Sequence, residues 1–307
     1  MVNIKVVYEG TEINLQVSGC RINDSMGGKA DSLAISFADI KNECRKWDFT
    51  KNHTIEIIED PFSTGIMYVD GFGCSNGSYD VNAISIKKSF KTKKTRTWEN
   101  VKFLDLAKDL TEELGIKLET YGVNEFQYLR VDQVQKNNIE FLNYRCMVEG
   151  YNLKISNGKA LIVSEEFLKK QKEVLVLDPS FFIGKYDFKC TSNNIYGGCE
   201  IISFSKTLIK GSYISDKSNG DIIKITDMPI SSIGEANRFA KNIINSLNKN
   251  ETVGIFTINK NTSIAAGNVI KIESLDSFNG KYIIENIIHD LIAGKSRVSV
   301  RKISEVY

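Results

Sequence analysis

Short runs in which apolar and polar residues alternate recur at both ends of this chain, each closed by Gly, Asn, Asp or Pro. A period of two suits a half-buried strand, so these regions are limited to sheet. In the first ninety residues the runs are Lys5–Tyr8 and Glu12–Val17 on either side of Glu9-Gly10, then Asp31–Phe37, His53–Ile58, Gly65–Val69 and Val81–Ile86. Short strands at this spacing, with no long helical period among them, predict an antiparallel barrel or sandwich.

The period changes after Trp98. Asn100 is placed to cap a helix with apolar positions Phe103, Leu106, Ala107, Leu110 and Leu114, and Gly115 sits where a C-terminal glycine belongs. A second helix is expected over Asn138–Val148, stopping at Gly150, with capping-box spacing between Asn137 and Glu140. Strands Tyr151–Ile155 and Lys159–Val163 flank an Asn157-Gly158 turn, a strong hairpin signal. The last third returns to strands at Phe181–Phe188, Gly198–Phe204 and Asp221–Ile225. One helix interrupts them, opened by the capping box Ser232-Ile-Gly-Glu235 and striped by Ala236, Phe239, Ala240, Ile243, Ile244 and Leu247. Strands Val253–Ile258, Asn268–Ile272, Lys281–Ile288 and Arg297–Ile303 follow, with hairpins expected at Asn279-Gly280 and Ala293-Gly294. The fold class is mainly β with an α+β insert. Two β-barrel domains are expected, at residues 1–96 and 176–307, the second carrying a helix near 232–249; a small α+β module at 97–175 joins them.

Chemistry is sparse. Forty basic against thirty-eight acidic side chains leave a formal charge of +2, so no global field marks a nucleic-acid binder. Residues 1–8 lack the cationic flank and apolar run of a signal peptide, and no stretch nears the ~18 apolar residues of a membrane helix. A chain made in a cytoplasm without a membrane anchor is expected. The six cysteines (Cys20, Cys44, Cys74, Cys146, Cys190, Cys199) form no Cys-x-x-Cys and read as small buried hydrophobes. The two histidines, His53 and His289, have no ligand-like partner at helical or hairpin spacing. Gly-x-Ser-x-Gly, His-Glu-x-x-His and phosphate-loop patterns are absent. The acidic pairs Glu112-Glu113 and Glu165-Glu166 read as solvated surface, because neighbours on a helix do not face each other. No catalytic residue, metal ligand or cofactor site is assigned. The one notable cluster is Lys87, Lys88, Lys91, Lys93, Lys94 and Arg96, six cations in ten residues ahead of Trp98. Lys91, Lys93, Lys94 and Arg96 are the candidates for an interface or a channel wall; the alternative is a solvated linker.

The run Lys91-Thr-Lys-Lys-Thr-Arg-Thr-Trp98, the helix after it, Val131-Asp132-Gln133 and the helix Asn138-Ile-Glu-Phe-Leu-Asn-Tyr-Arg145 together resemble the middle of the phage late control gene D proteins. These are baseplate hub proteins of contractile tails, similar to the hub portion of type VI secretion spike proteins. Asp31-Ser-Leu33, Glu235-Ala-Asn-Arg-Phe-Ala240, Ala266-Gly-Asn-Val-Ile270, Phe278-Asn-Gly-Lys-Tyr-Ile283 and Ile288-His-Asp-Leu291 are similar to the family's opening strand and closing barrel. No single motif is specific; their order carries the resemblance.

What the resemblance implies is a structural protein with two tail-tube-like barrels. Three copies would form a homotrimeric ring that adapts a six-fold tail tube to a three-fold spike, in a myophage tail or a phage-tail-like bacteriocin (tailocin). The expected partners are the tail tube protein, the central spike protein, the tape-measure protein and the baseplate wedge, with DNA only in transit if the particle is a phage. The expected location is the baseplate, after assembly in the bacterial cytoplasm. Relatives sometimes carry a fused lysozyme, peptidase or spike domain; with the last strand ending close to Tyr307, such an activity is expected on a separate polypeptide. The rival readings are a peptidoglycan hydrolase of the same particle and a glycan-binding module, the latter needing clustered exposed aromatics where Trp47 and Trp98 stand isolated.

Overall fold

The computed structural model describes residues 4–41, 44–192, 195–204, 207–215, 220–226 and 228–303, without the side chains of Arg45, Lys88 and Ser89. Met1 and Tyr307 lie outside the described residues, and so does the Lys88 side chain of the basic cluster. The opening third holds β1 (Lys5–Tyr8), β2 (Thr11–Ile13), β3 (Val17–Ser25), β4 (Ser32–Ala38), β5 (Thr54–Glu59), β6 (Phe62–Ser63), β7 (Met67–Ser75) and β8 (Ser78–Ile84). Alternation dictates their packing. Leu33, Ile35 and Phe37 of β4 turn inward against Ile22, Ile55, Ile57, Val69 and Val81, while the residues between them face out. Each such side chain is worth about 1.5–3 kcal/mol when fully buried.

The middle of the chain holds β9 (Lys94–Lys102), α1 (Phe103–Glu112), β10 (Lys117–Tyr121), β11 (Gln127–Lys136), α2 (Asn138–Val148), β12 (Tyr151–Ser156), β13 (Lys159–Ser164) and α3 (Glu165–Lys169). Asn100 does not cap α1. It lies within β9 at φ 51°, and the helix starts directly after Lys102 with no side-chain cap. Pairing decides this: Val101 and Lys102 face Tyr128 and Gln127 of β11, and the Phe103 amide continues the ladder to the Phe126 carbonyl. By contrast, α2 carries the full capping box of Asn137 and Glu140, and Gly115 adopts the left-handed φ of 66° after α1. The Asn157-Gly158 hairpin joins β12 to β13 with both turn residues at positive φ.

The rest holds β14 (Leu175–Leu177), β15 (Asp187–Cys190), β16 (Gly198–Phe204), β17 (Leu208–Ile214), β18 (Ile222–Ile225), α4 (Ile233–Asn248), β19 (Thr252–Asn259), β20 (Val269–Ile272), β21 (Gly280–Asp290) and β22 (Lys295–Lys302). The strand expected at Phe181–Phe188 starts only at Asp187, because Pro179–Phe181 form a 3-10 turn capped by Asp178. Asn279-Gly280 is not a two-residue turn: residues 273–279 separate β20 from β21 and include the 3-10 turn Asp276–Phe278. The strand β17 was not expected.

The mainly β fold with an α+β middle is the one expected; its largest sheet has fourteen strands and follows the order β15-β19-β22-β21-β3-β4-β8-β7-β5-β1-β2. Among the described residues this path does not close on itself. The join is long β21, whose first half pairs with β20 and whose second half, Asn286 to Asp290, pairs with β3. Local patterning specifies strands and tight hairpins but not a partner some 260 residues away. Three cores result. One fills the opening third, one the closing sheet, and the third lies between, where α4 packs on α2 and on the small sheet β17-β16-β18.

Candidate interaction surfaces

The basic run divides. Lys91 and Lys93 are exposed and make no ion pair among the described residues. Lys94 and Arg96, on β9, turn back onto the protein. Lys94 Nζ lies 2.7 Å from Glu113 Oε1, and Arg96 grips the same carboxylate with two nitrogens at 3.0 and 2.7 Å. Arg96 also donates to Gln133 Oε1 at 2.9 Å and Asn138 Oδ1 at 3.1 Å, and its guanidinium stacks 4.6 Å over the Trp98 ring. Gln133 and Asn138 are themselves buried, and Asn138 donates to Glu113 at 2.6 Å. The bidentate Arg96 contact, aided by Lys94 and Asn138, outweighs burial and holds the Glu113 carboxyl down at about 2. Glu113 is thus not the solvated acid expected from its neighbour Glu112. It ties β9 and β11 to the end of α1 and the start of α2. Trp98 stacks on Phe141 of α2 with ring centroids 5.7 Å apart.

Glu165 departs further from a solvated reading. Its carboxylate accepts two hydrogen bonds from Arg301 of β22, at 2.7 and 2.8 Å, and one from Asn152 at 2.9 Å. Arg301 is 2% exposed and also bonds Glu285 through Nε. Burial alone would raise the Glu165 pKa, but the charge and hydrogen bonds of Arg301 hold it below the usual carboxylate range. The partner lies 136 residues away, so no local pattern could announce it. Deeper in the middle core, Arg238 of α4 pairs with Glu149 at 2.7 Å, and Glu149 accepts from Tyr128 at 2.5 Å, clamping α4 to the end of α2.

The small sheet β17-β16-β18 has two faces. Cys199, Ile201, Ile209, Tyr213, Ile223 and Ile225 contribute to the core beneath α4. At Gly211 the strand comes so close that an added Cβ would stand 2.4 Å from the Ala236 Cβ. The other face is open and carries apolar residues at its two ends, with the Glu200–Lys210 ion pair, Ser212 and Lys224 between them: Phe204 is 76% exposed beside its cross-strand partner Leu208 at 64%, and Ile214 at 62% and Ile222 at 48% flank Gly198 at the far end. Apolar residues on both faces of a strand signal burial on both sides. In Ile201-Ile202-Ser203-Phe204 that signal was present in the sequence and was missed. Each end thus exposes a pair of adjacent large apolar side chains beside a charged strip.

His53 bonds the Tyr8 hydroxyl through Nδ1 at 2.8 Å, and buried His289 bonds Ser296 Oγ at 2.8 Å. Four cysteines are buried as expected; Cys74 and Cys190 are exposed, because the ends of β7 and β15 leave the core. Among the described residues no group of three or more His, Cys, Asp or Glu side chains could hold a metal ion, and no helix is long and apolar enough to cross a membrane.

No protein-family model matches the chain, and no curated protein matches it in sequence. Solved structures do match. The 43 kDa tail protein of prophage MuSo2 from Shewanella oneidensis aligns over 97% of this chain and 98% of its own, with a TM-score of 0.76 at 10% identity. The tail protein from Neisseria meningitidis MC58 aligns over 97% and 96%, with a TM-score of 0.76 at 12% identity. The E. coli c3393 protein, a component of the type VI secretion system described as structurally similar to T4 bacteriophage tail proteins gp27 and gp5, aligns over 98% and 77%, with a TM-score of 0.67 at 8% identity. The chain therefore has, nearly end to end, the fold of phage tail proteins and of this secretion-system component.

Proposed function

We propose that the chain is a structural baseplate hub of a contractile injection particle, either a phage tail or a phage-tail-like bacteriocin, in which three copies close a ring between the six-fold tail tube and the three-fold spike. The observation that carries this reading is the fold match over almost the whole of both chains with two tail proteins. The modules at 1–96, 97–175 and 176–307 are the units of the ring in this reading. A ring of identical subunits needs heterologous contacts, one patch meeting a different patch on the next copy. The open face bearing Phe204, Leu208, Ile214 and Ile222 and the exposed cations Lys91 and Lys93 are the surfaces we assign to contacts with neighbouring copies, tube, spike, tape-measure protein or wedge.

Reversing all four cations Lys91, Lys93, Lys94 and Arg96 would also break the Glu113 clamp and so confuse assembly with folding. The clean variant is Lys91→Glu with Lys93→Glu, alongside Phe204→Asp. Light scattering of chain plus purified spike should report loss of assembly while circular dichroism stays unchanged. Normal assembly by both variants would remove these surfaces from the proposal.

A further inference from the structure

Three parts of the chain meet at one buried cluster of charge. Asp24, on β3, lies 2.5 Å from Lys154 Nζ on β12 and accepts the Ala266 amide, just before β20, at 2.9 Å. Lys154 also donates to the Ala266 carbonyl at 3.1 Å. Asp31, just before β4 and 7% exposed, accepts the Ser25 amide at 3.1 Å. Its own amide donates to Ser85 Oγ, and that hydroxyl donates to the Ile155 carbonyl of β12. The connection between Asp24 and Asp31 is pinned on both sides, by Gly28 N–H to the Leu153 carbonyl at 2.7 Å and by Met26 N–H to the Glu285 carbonyl at 3.0 Å. The cluster thus holds two carboxylates and one ammonium, with side chains of Asp24 and Lys154 only 15% and 12% exposed.

We propose that Asp24, Asp31 and Lys154 form a proton-dependent lock: the opening sheet, the α+β module and the closing sheet are held together most firmly when Asp31, buried in the same cluster as the Asp24–Lys154 pair, carries a proton, and the junction loosens when that proton leaves. This stands independently of the hub reading. With both acids ionised, a second negative charge sits in a buried site with a single cation. Burial first, and then Asp24, push the Asp31 carboxyl up to about 7, against the pull of Lys154, Ser156 and the Ser25 amide. The group is therefore protonated in the folded chain where an ordinary aspartate is ionised. Stability from it is greatest below the ordinary carboxylate range and is lost as pH rises through the raised value. Two titratable groups of β21 lie near: Glu285, whose carbonyl takes the Met26 amide, and His289. Glu285 has its carboxylate taken by Arg301, and buried His289 senses the charge of Asp24.

The test is amide hydrogen exchange on the intact chain, read at Gly28 and Met26 and corrected for the intrinsic pH dependence. These amides should open roughly tenfold more often at pH 8 than at pH 6, and Asp31→Asn should remove that difference while keeping both amides protected. The same pH slope in Asp31→Asn, which retains His289, would overturn the proposal. A carboxyl carbon-13 titration of the unaltered chain checks it without any substitution. One aspartate should titrate near neutrality, and all aspartates titrating below about pH 5 would overturn it.

Discussion

Replacing Arg301 with methionine puts the cross-chain charge pairing to the hardest test. The guanidinium is 2% exposed and gives two hydrogen bonds to Glu165 and one to Glu285. Methionine keeps most of the volume and leaves two carboxylates facing an apolar side chain. Breaking a buried pair from one side costs about 3–5 kcal/mol, because the stranded charge keeps its desolvation penalty. For a chain of this size that is a fall of about 1 M or more in the urea midpoint. The sign with pH follows from Glu165. In the natural chain its pKa is held below the usual range, so the stability it contributes is complete above that range and fades as pH falls through the lowered value. In the variant, burial without a cation raises it, and protonation relieves the penalty as pH falls. The gap between the two proteins should therefore be several kcal/mol at pH 8 and shrink by about 1 kcal/mol or more at pH 5. Adding Glu165→Gln to Arg301→Met should recover part of the loss. Urea unfolding followed by circular dichroism and tryptophan fluorescence reads both effects. A cost below about 1 kcal/mol, or a gap equal at both pH values, would refute the reasoning.

Two further substitutions probe other joints. Glu113→Gln should cost about 1 kcal/mol near neutrality, a small figure because the side chain is about one-third exposed and screened; acid unfolding should show the difference vanishing as pH falls from the ordinary carboxylate range towards 2. Gly211→Ala should cost about 1–3 kcal/mol and lower the Tm, since the new methyl would press on Ala236 and the Asn237 amide; an unchanged Tm would mean that α4 slides away freely.

Much of the fold was legible in local pattern. The strand Gly198–Phe204, the helix Asn138–Val148 with its Asn137 cap, and the hairpin at Asn157-Gly158 appear with the expected bounds, because each is set by side chains within a few residues of it. Ser232 caps α4 through Glu235 N–H at 3.2 Å, but Glu235 turns its carboxylate to Ser231, so only half of that capping box forms. What local pattern could not convey lies in pairings across the chain. The meeting of β3 with β21 joins the opening and closing strands in one sheet path. Arg301 draws Glu165 inward, and Glu113 claims Lys94 and Arg96 from the surface. The basic run was visible as charge; which of its members are free depended on a carboxylate on the next helix.

The most direct check of the hub reading is the native mass of the complex formed with its purified spike. Three copies of the 34.5 kDa chain on each spike are expected. A single copy per spike, or no complex at all, would contradict it.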